Sequence, residues 1–553
     1  MRMRLLGAAI LALAASASWA DVKLTVNAQA GQAIKGSHSF RATAQSTKLV
    51  TSVEFYVNDS LRGTDESTPY EFSIDTLQED DGPIKVRFDA YTEDGDKGTI
   101  TLNLKVDNGV ALGLAHHLEK GSNALIDQRW DDAILSGRVA LKVDENSVDA
   151  KAILARANYG KGVRDLAQKY LEDVLAVQPN NSQAILLLSA IQIDLAFDTV
   201  ASNAGNRSEA IGLISSSLKR AAEGRAKTLS LALDAIPAST PAADPARIAA
   251  MLEAARYNQV VQALTPLAEG DRPSAQVMNS IIYALVRNGQ FKRAAVLMGR
   301  YERSGAPDGY GYALKAILMQ YAGLEQQAKD AEKEALLADP TSPAVKTAQA
   351  YLALKRGETK AFSQLAQDLG QSEAPAHISG YFVSTLLLSA GEFQQSLDSI
   401  RAALKSEPAA YDIYIERANQ IVAYSFTQGM GSDEVRNQRL IAIAFLEAAL
   451  AIKPESFEAL TSLSLINGLN GDHAKAVSFG QAASKAGPEY GPGWFALSAA
   501  LNGQRSPAGQ AKAALDKAAE VDPFNFRGRT IPDYLQAWRY YALHGRLPLM
   551  PNP

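Results

Sequence analysis

Two patterns of hydrophobic and polar residues divide the chain. Between residues 21 and 107 apolar residues alternate with polar ones, as in Val53–Val57 ("VEFYV"), and turn residues such as Asp81–Pro83 separate the runs. A period of two is typical of strands with one buried face. The alternation predicts about seven short strands and therefore an all-β sandwich over residues 21–107.

From about residue 109 the apolar residues take the spacing of helices. The stretch Ala459–Pro488 shows one unit, in which an apolar helix, a turn at Asn470–Asp472 and a second helix are closed by a proline. A proline closes a helix because it has no N–H to donate. Prolines recur 33 to 35 residues apart at Pro273, Pro307, Pro340, Pro375 and Pro408, and again at Pro454, Pro488 and Pro523. The period predicts roughly ten to twelve helical hairpins stacked into an all-α superhelical solenoid.

Small and aromatic residues recur at fixed places in these units, where we expect them to let paired helices approach closely. These repeat-structural residues are Trp130, Ala133, Gly323, Ala328, Ala335, Gly391, Ala403, Ala442, Ala449, Gly471, Ala476, Ala483, Trp494, Ala511 and Ala518.

The segment Ile236–Pro245 ("IPASTPAADP") suggests a subdivision of the helical part. It is either a linker between two blocks or one long loop between repeats. As a linker, it separates a degenerate helical block over residues 109–236 from a regular array over residues 246–523.

The last part of the chain, residues 524–553, departs from the repeat. Tyr534, Trp538 and Tyr541 fall on one face of a helix. An end repeat needs a cap over its apolar surface, so this pattern predicts a capping helix followed by a tail. The sharper alternative is an aromatic groove for a peptide or a sugar.

The first twenty residues have the features of a secretory signal peptide. Arg2 and Arg4 precede the apolar run Leu5–Ala15, and small residues at Ser18 and Ala20 fit a cleavage site. The mature chain is expected to begin at residue 21. Because the sequence has no cysteine, it offers no disulfide and no site for a lipid anchor. The expected location is therefore periplasmic, secreted or surface-associated, and the protein is not expected to be a lipoprotein.

Composition narrows the classes of partner. The net charge of −5 and the pI of about 5.8 give no basic surface for nucleic acid. Beyond the leader no unbroken apolar run approaches about 18 residues, so we do not expect a membrane-spanning chain.

The motifs of common active sites are missing from the sequence. His116–His117 is the one histidine cluster, and neighbouring residues of a helix point about 100° apart, so the two rings should not converge on a metal. No phosphate-binding glycine loop or nucleophile elbow is present. The acidic turns Glu79–Asp81 and Glu93–Asp96 are either solvated or calcium-binding. We expect no catalytic residues, no metal and no cofactor, so an enzyme would need an unrecognised constellation.

Two family resemblances follow from these residues. Val53–Asn58, Gly63–Asp65, Pro69–Tyr70 and Asp89–Tyr91 resemble the bacterial immunoglobulin-like domain, although Ile74–Asp75 stands where that family usually has Trp-Asp. The helical hairpins and their small residues resemble the tetratricopeptide repeat (TPR) family over most of residues 110–523.

The TPR resemblance implies an exported, non-catalytic scaffold that binds a protein or peptide of the cell envelope on its concave face, in the assembly of surface or secretion machinery. The immunoglobulin-like domain would be a second contact. Candidate binding residues on the first helices of the units are Tyr312, Lys315, Gln320 and Asn467.

The alternative is an adhesin in which the β domain binds a glycan or polysaccharide and the array is a spacer. This alternative needs an exposed aromatic patch formed by Tyr56, Tyr70 and Tyr91.

Overall fold

The computed structural model describes residues 22–202, 207–427 and 432–553. The expected signal peptide over residues 1–20 lies outside these ranges. The strands are β1 (Val22–Val26), β2 (Ala33–Ile34), β3 (Ser37–Ser46), β4 (Val50–Val57), β5 (Ser60–Asp65), β6 (Tyr70–Asp75), β7 (Gly82–Thr92) and β8 (Lys97–Val106).

Helices fill the rest of the described chain. They are α1 (Gly113–Ile126), α2 (Trp130–Val143), α3 (Val148–Gly160), α4 (Arg164–Val177), α5 (Ser182–Ala201), α6 (Arg207–Asp234), α7 (Pro245–Glu253), α8 (Tyr257–Ala268), α9 (Ala275–Arg287), α10 (Phe291–Ser304), α11 (Gly309–Tyr321), α12 (Glu325–Ala338), α13 (Pro343–Lys355), α14 (Thr359–Gly370), α15 (Ala376–Ser389), α16 (Phe393–Ser406), α17 (Tyr411–Thr427), α18 (Ser432–Ile452), α19 (Phe457–Leu469), α20 (His473–Ala486), α21 (Gly491–Gly503), α22 (Ala508–Val521), α23 (Pro523–Phe526) and α24 (Tyr534–His544).

The strands form the sandwich that the alternation predicts. One sheet has the order β1-β3-β6 and the other has the order β2-β8-β7-β4-β5. All pairs are antiparallel except β2 with β8. The turn between β4 and β5 consists of Asn58 and Asp59, with φ of 49° and 64°. Asparagine and aspartate tolerate these angles and give a two-residue hairpin the right twist.

The sandwich core is apolar and aromatic. The alternating residues of β4 and β7 point inward, and Phe55 and Phe88 contact each other with ring centroids 5.1 Å apart. Phe40 and Phe72 from the other sheet pack on the same rings at 5.4 to 5.7 Å. Aromatic pairs at these separations add to the burial of apolar area.

The helices pair along the chain as the proline period predicts. Within the described ranges, α1/α2 through α21/α22 make eleven antiparallel hairpins, which lies inside the predicted range of ten to twelve. The ten repeat-structural alanines are buried. Gly323, Gly391 and Gly471 lie in the turns between paired helices with φ between 71° and 85°, where residues with a Cβ are strained.

The two repeat-structural tryptophans have different partners. The ring of Trp130 covers Gly160, where a Cβ would lie 2.7 Å from it. The Nε1 of Trp494 donates to the carbonyl of Pro488 at 3.0 Å.

The chain divides into two compact units, residues 1–177 and 178–553. This boundary differs from the sequence-based one at Ile236–Pro245. That segment joins α6 to α7 inside the second unit, where its Pro237 carbonyl accepts a hydrogen bond from Arg247 at 2.7 Å. The structure therefore favours the inter-repeat loop, and the block predicted over 109–236 is split between the two units.

Long-range ion pairs explain why α5 and α6 belong to the second unit. Asp194 of α5 accepts from Arg401 at 2.6 Å and from Lys405 at 3.0 Å, both on α16. On α6, Arg225 makes a two-pronged pair with Glu407 at 2.8 and 2.9 Å. These contacts join residues about two hundred positions apart, a separation that the periodicity of a repeat does not report.

The helix α5 is long and apolar enough to cross a membrane by length and composition. Half of its most apolar window is buried inside the structure. It contains the buried, ion-paired Asp194, so its apolar faces pack within the helical array.

A polar junction joins the sandwich to the first helices inside the first unit. The buried Asn108 accepts from the Gly36 N–H at 3.0 Å and from the Thr76 hydroxyl at 2.8 Å, and donates to Asp81 at 3.1 Å. Arg138 of α2 pairs with Asp75 at the end of β6. The β domain is therefore fastened by directional bonds to α2 and to the residues that lead into α1.

Candidate peptide-binding groove

In the second unit, the first helices of the hairpins from α9 to α21 enclose one short segment of the same chain. We call residues 545–553 ("GRLPLMPNP") the groove segment, and the surface around it, formed by α9, α11, α13, α15, α17, α19 and the start of α21, the groove. The Leu547, Leu549 and Met550 side chains are only 4 to 5% exposed. Since helices far apart in sequence all meet this segment, their shared face is the inner one.

The groove holds the segment chiefly through its main chain. The carbonyl of Gly545 accepts from the Tyr490 hydroxyl, and that of Arg546 accepts from the hydroxyls of Tyr321 and Tyr351. The next contacts lie further along the segment. The Arg287 guanidinium donates to the Pro548 carbonyl at 3.2 Å, and the Tyr310 hydroxyl donates to the Pro551 carbonyl at 2.7 Å. Four carbonyls thus meet five side-chain donors.

One N–H of the segment also has a groove partner. The Leu547 N–H donates to a carboxylate oxygen of Glu458 at 2.6 Å. Pro548 and Pro551 have no N–H, so the segment brings fewer donors into the groove than an ordinary sequence would. A groove rich in donors therefore suits a segment rich in free carbonyls.

An acidic position in the groove holds the side chain of Arg546. Its guanidinium forms an ion pair with Glu416 of α17, which also accepts from the Tyr381 hydroxyl at 3.1 Å. Glu416 is buried, and an ionised carboxylate is stable in such a place only when it is paired and hydrogen-bonded.

A second charged cluster contacts the main chain of Leu547 and Pro548. The buried Arg287 pairs with Asp412, and its guanidinium lies 3.9 Å from Glu458. Burial opposes the charge of Arg287, but Asp412 and the neighbouring groups raise its pKa above the ordinary value. The ammonium of Lys453 donates to the Arg287 carbonyl at 2.5 Å.

Burial changes the protonation of this cluster. It lowers the pKa of Lys453 to about 7 and raises the pKa of Glu458 to about 7. Burial also raises the pKa of the Tyr351 and Tyr490 hydroxyls well above the ordinary value. These tyrosines therefore keep the proton that they donate to the segment.

The helix α24 leads into the groove segment and packs on the inner helices α19 and α21. Its buried Tyr541 hydroxyl donates to the Glu458 carbonyl at 3.2 Å, and Trp538 contacts Phe426 of α17 at 5.1 Å between ring centroids. A Cβ on Gly468 or on Gly503 would overlap the Tyr534 ring. The predicted aromatic face of α24 is thus a packing face, but it covers the inside of the array, where the sequence suggested a cap on its end.

The four candidate binding residues lie elsewhere on these helices. Lys315 pairs with Glu302 of α10 at 2.5 Å, and Asn467 donates to the Leu463 carbonyl of its own helix at 2.8 Å. Tyr312 is half-buried against the core of the array. The Oε1 atom of Gln320 is buried and has no hydrogen-bond partner in the described part of the chain. Their role in binding a partner stays a prediction.

Helix geometry explains why other residues of α11 reach the segment. Tyr310 and Tyr321 are eleven positions apart, which is about three turns, so they share one face. Tyr312 and Lys315 are rotated from Tyr310 by about 200° and 140°. A signal in the sequence that could have marked the groove residues is a single charged residue on an otherwise apolar first helix, as at Arg287 in "IIYALVR".

The aromatic residues of the sandwich do not form the patch that a sugar would need. Tyr70 is buried in the core. The Arg87 guanidinium lies 4.1 Å from the centroid of the Tyr56 ring, and the Lys97 ammonium lies 5.4 Å from that of Tyr91. Two of the three tyrosine rings thus have a face covered by a cation of the same sheet.

Other features with possible chemistry have partners within the protein. Lys48 pairs with Asp94 at 3.2 Å and with Asp96 at 2.6 Å in one acidic turn. In the histidine pair, His117 is hydrogen-bonded through Nε2 to the Gly109 carbonyl at 2.8 Å. Over residues 22–202, 207–427 and 432–553, no group of three or more His, Asp or Glu side chains is placed to hold a metal ion.

Comparisons with known proteins give one family match, over the β domain, and several structural likenesses of low identity. Residues 22–104 match the family model described as a bacterial Ig domain. The solved structure of the APC/C hetero-tetramer Cut9–Hcn1 is 11% identical, with a TM-score of 0.38, and the match covers 76% of this chain and 95% of that one. Yeast Tom70 is 14% identical with a TM-score of 0.33, covering 78% and 95%.

A third solved structure is YrrB, described as a TPR protein with an unusual peptide-binding site. It is 14% identical with a TM-score of 0.23, and the match covers 35% of this chain and 93% of that one. No curated protein matches the chain. The chain thus has an immunoglobulin-like β-sandwich, over which the bacterial Ig domain model matches, followed by a helical solenoid of TPR-like hairpins.

Proposed function

We propose that this protein is an exported, non-catalytic scaffold of the cell envelope whose groove binds an extended peptide segment of a partner protein. The observation that supports this most is the set of four main-chain carbonyls in the groove segment held by five groove side chains. Main-chain hydrogen bonds of this kind give affinity for an extended peptide, while side-chain pockets give selectivity.

The energetics also favour binding over catalysis. The ionisable groups of the groove, such as Arg287 and Glu416, are paired with each other or with the segment. Side chains fixed by packing hold a peptide at a low entropic cost, because they are ordered before it arrives. The same inner faces are the extended surface that a stacked-hairpin array offers to a ligand.

The β domain has a positioning role in this proposal. The Asn108 junction and the Arg138–Asp75 pair fix the domain to α2 and to the residues that lead into α1, so a contact made by the sandwich would orient that helix. Within the envelope it would be the second point of attachment. Glycan binding by the sandwich is the weaker candidate, because Tyr56 and Tyr91 lie under Arg87 and Lys97.

The site of partner binding is tested by photo-crosslinking in living cells. A photoreactive phenylalanine replaces either Tyr310 in the groove or Tyr56 on the sandwich, both half-buried tyrosines of the full chain. We expect a crosslink to an extended segment of an envelope protein from position 310, and no crosslink to that segment from position 56. The reverse result would make the array a spacer.

Export is tested on its own. Cell fractionation should place the protein outside the cytoplasm, and sequencing of the mature protein should begin at residue 21. A cytoplasmic protein that retains residues 1–20 would overturn this part of the proposal.

A further inference from the structure

The groove segment has the contacts of a bound peptide. The Leu547, Leu549 and Met550 side chains are buried, and the carbonyls between them accept from groove side chains. All these contacts are non-covalent, and they involve residues that follow α24. A peptide from another protein could make the same set.

The groove selects for a cation at one position. Glu416 is buried, and its partners are the Arg546 guanidinium and the Tyr381 hydroxyl. If the segment left without a replacement, Glu416 would lose its charged partner and keep the neutral Tyr381 hydroxyl, and removing one partner of a buried ion pair is unfavourable. A competing peptide therefore needs a basic residue here.

The groove also suits proline beyond the cation. Near Pro548 the groove presents the donors of Arg287, and near Pro551 it presents the hydroxyl of Tyr310. A residue with an N–H at either position would bring a donor that needs an acceptor in the groove, and a buried donor without an acceptor is unfavourable. Proline avoids this, and it favours the extended backbone of a bound peptide.

We infer that the groove segment is an exchangeable internal ligand, and that the partner which displaces it presents an extended peptide of the same chemistry, namely a basic residue, an apolar residue and a proline. This inference rests on the proposed function and names the ligand of its groove. It also makes the protein self-inhibited until such a peptide arrives.

The size of this self-inhibition follows from the tether. A short connection such as the one from α24 gives an effective concentration in the millimolar range. A free peptide with the sequence of the segment should therefore compete only at about millimolar concentration in the intact protein. A substitution that weakens only the binding of the groove segment should lower the peptide concentration that is needed to compete.

The first experiment uses the absence of cysteine from the chain. A Met550→Cys variant of the full mature protein places one thiol in the buried part of the groove segment, and Leu543→Cys places one at a side chain that is 64% exposed. We expect a maleimide to label the Met550→Cys protein at least about tenfold more slowly than the Leu543→Cys protein, because the buried thiol reacts only after the segment opens locally.

Peptide competition then tests exchange and selectivity. The nine-residue peptide GRLPLMPNP, at about millimolar concentration, should accelerate labelling of the Met550→Cys protein several-fold. The charge-reversed peptide GELPLMPNP should have little effect. Equal effects of the two peptides, or none from either, would overturn the inference.

A second variant keeps the test independent of the labelled thiol. Arg546→Glu in the full chain places a carboxylate next to Glu416 and should release the segment. Fluorescent GRLPLMPNP should then bind about tenfold more tightly than it binds the unchanged protein. The matched control is Arg527→Glu, at an exposed arginine outside the groove, which should leave binding unchanged. Unchanged binding in Arg546→Glu would count against exchange.

The two proposals fail in different ways. If no peptide exchanges but an envelope protein still crosslinks at position 310, the inference is wrong and the proposed function stands. If the peptides exchange as expected but no partner crosslinks there, the groove is exchangeable and the proposed function is wrong.

Discussion

The interior of the sandwich and the interior of the groove are built from opposite chemistries. In the sandwich, the Phe55 and Phe88 rings and their neighbours pack at 5.1 to 5.7 Å and carry no charge. In the groove, Arg287, Glu416 and Glu458 are buried as deeply as core residues. Both regions exclude water, but the sandwich core does so around apolar rings and the groove does so around ionisable groups.

The difference separates stability from recognition. Apolar burial stabilises a fold without demanding particular directions. A buried charge pair recovers little more than its own cost of desolvation, and its clearest use is to specify one arrangement. We therefore expect the sandwich residues to determine how stable the protein is, and the groove charges to determine what it accepts.

The largest effect is expected in the sandwich. Phe88→Ala removes a buried ring that contacts Phe40, Phe55 and Phe72, and leaves a cavity. Its cost should be about 4 kcal/mol in the free energy of unfolding of the first unit, measured by scanning calorimetry. Leu61→Ala, at a side chain that is 53% exposed, is the matched control and should change it by less than about 0.5 kcal/mol.

The next effect tests the charges. Arg287→Met keeps a long side chain but removes the cation beside Asp412 and Glu458. Leaving those carboxylates buried should destabilise the second unit by about 3 kcal/mol in calorimetry. Arg303→Met, at an exposed residue of α10, is the control. If the Arg287→Met protein is as stable as the unchanged one, the groove carboxylates do not need a buried partner, and the contrast with the apolar sandwich core is wrong.

The third effect depends on pH. Burial lowers the pKa of Lys453 from 10.5 to about 7 in the folded protein. Between about pH 7 and 10.5 the unfolded chain then holds a proton that the folded protein does not, so stability rises with pH in that window. The share of Lys453 in the rise between pH 7 and 9 should be about 2 kcal/mol, and Lys355 adds a further share because burial also lowers its pKa to about 7. Calorimetry at both values should show the rise smaller by about 2 kcal/mol in Lys453→Met and unchanged in Lys485→Met.

Glu458 gives the opposite slope on the acid side. Its pKa is raised from 4.5 to about 7 by burial, so its contribution to stability is complete below pH 4.5 and is lost as the pH rises to about 7. Glu458→Gln should remove this fall. A stability profile that is flat on both sides of pH 7 in the unchanged protein would contradict both assignments.

The smallest effect distinguishes two tyrosines of one helix. Tyr321→Phe removes a hydroxyl that donates to the Arg546 carbonyl, a bond worth about 1 kcal/mol. In the Met550→Cys protein it should raise the labelling rate about fivefold. Tyr312→Phe, on another face of α11, should leave the rate unchanged. If the two substitutions act alike, the helix-face argument for the groove is wrong.

Local pattern was enough to predict the two folds. The alternation around Val53–Val57 reflects a sheet with one buried face, and each strand reports its own burial. The prolines from Pro273 to Pro408 mark helix ends that depend only on nearby residues. The same holds for buried alanines such as Ala476, because a repeat contacts chiefly its neighbours.

The candidate site was far less predictable. The aromatic face of Tyr534, Trp538 and Tyr541 indicates that α24 is packed, but it does not indicate on what. Whether a helix after the last repeat covers the end of an array or folds back inside it depends on room at distant positions such as Gly468 and Gly503. Nothing within the segment itself reports that room.

The sequence by itself thus determined the sandwich, the hairpins and their period, because each rests on contacts between residues close along the chain. Only the tertiary structure decided the unit boundary at Val177, the ion pairs that attach α5 and α6, and the seating of residues 545–553 in the groove. Those features join side chains one hundred or more positions apart, such as Arg546 and Glu416. Such pairs have complementary charge but no fixed spacing, so no local period reveals them.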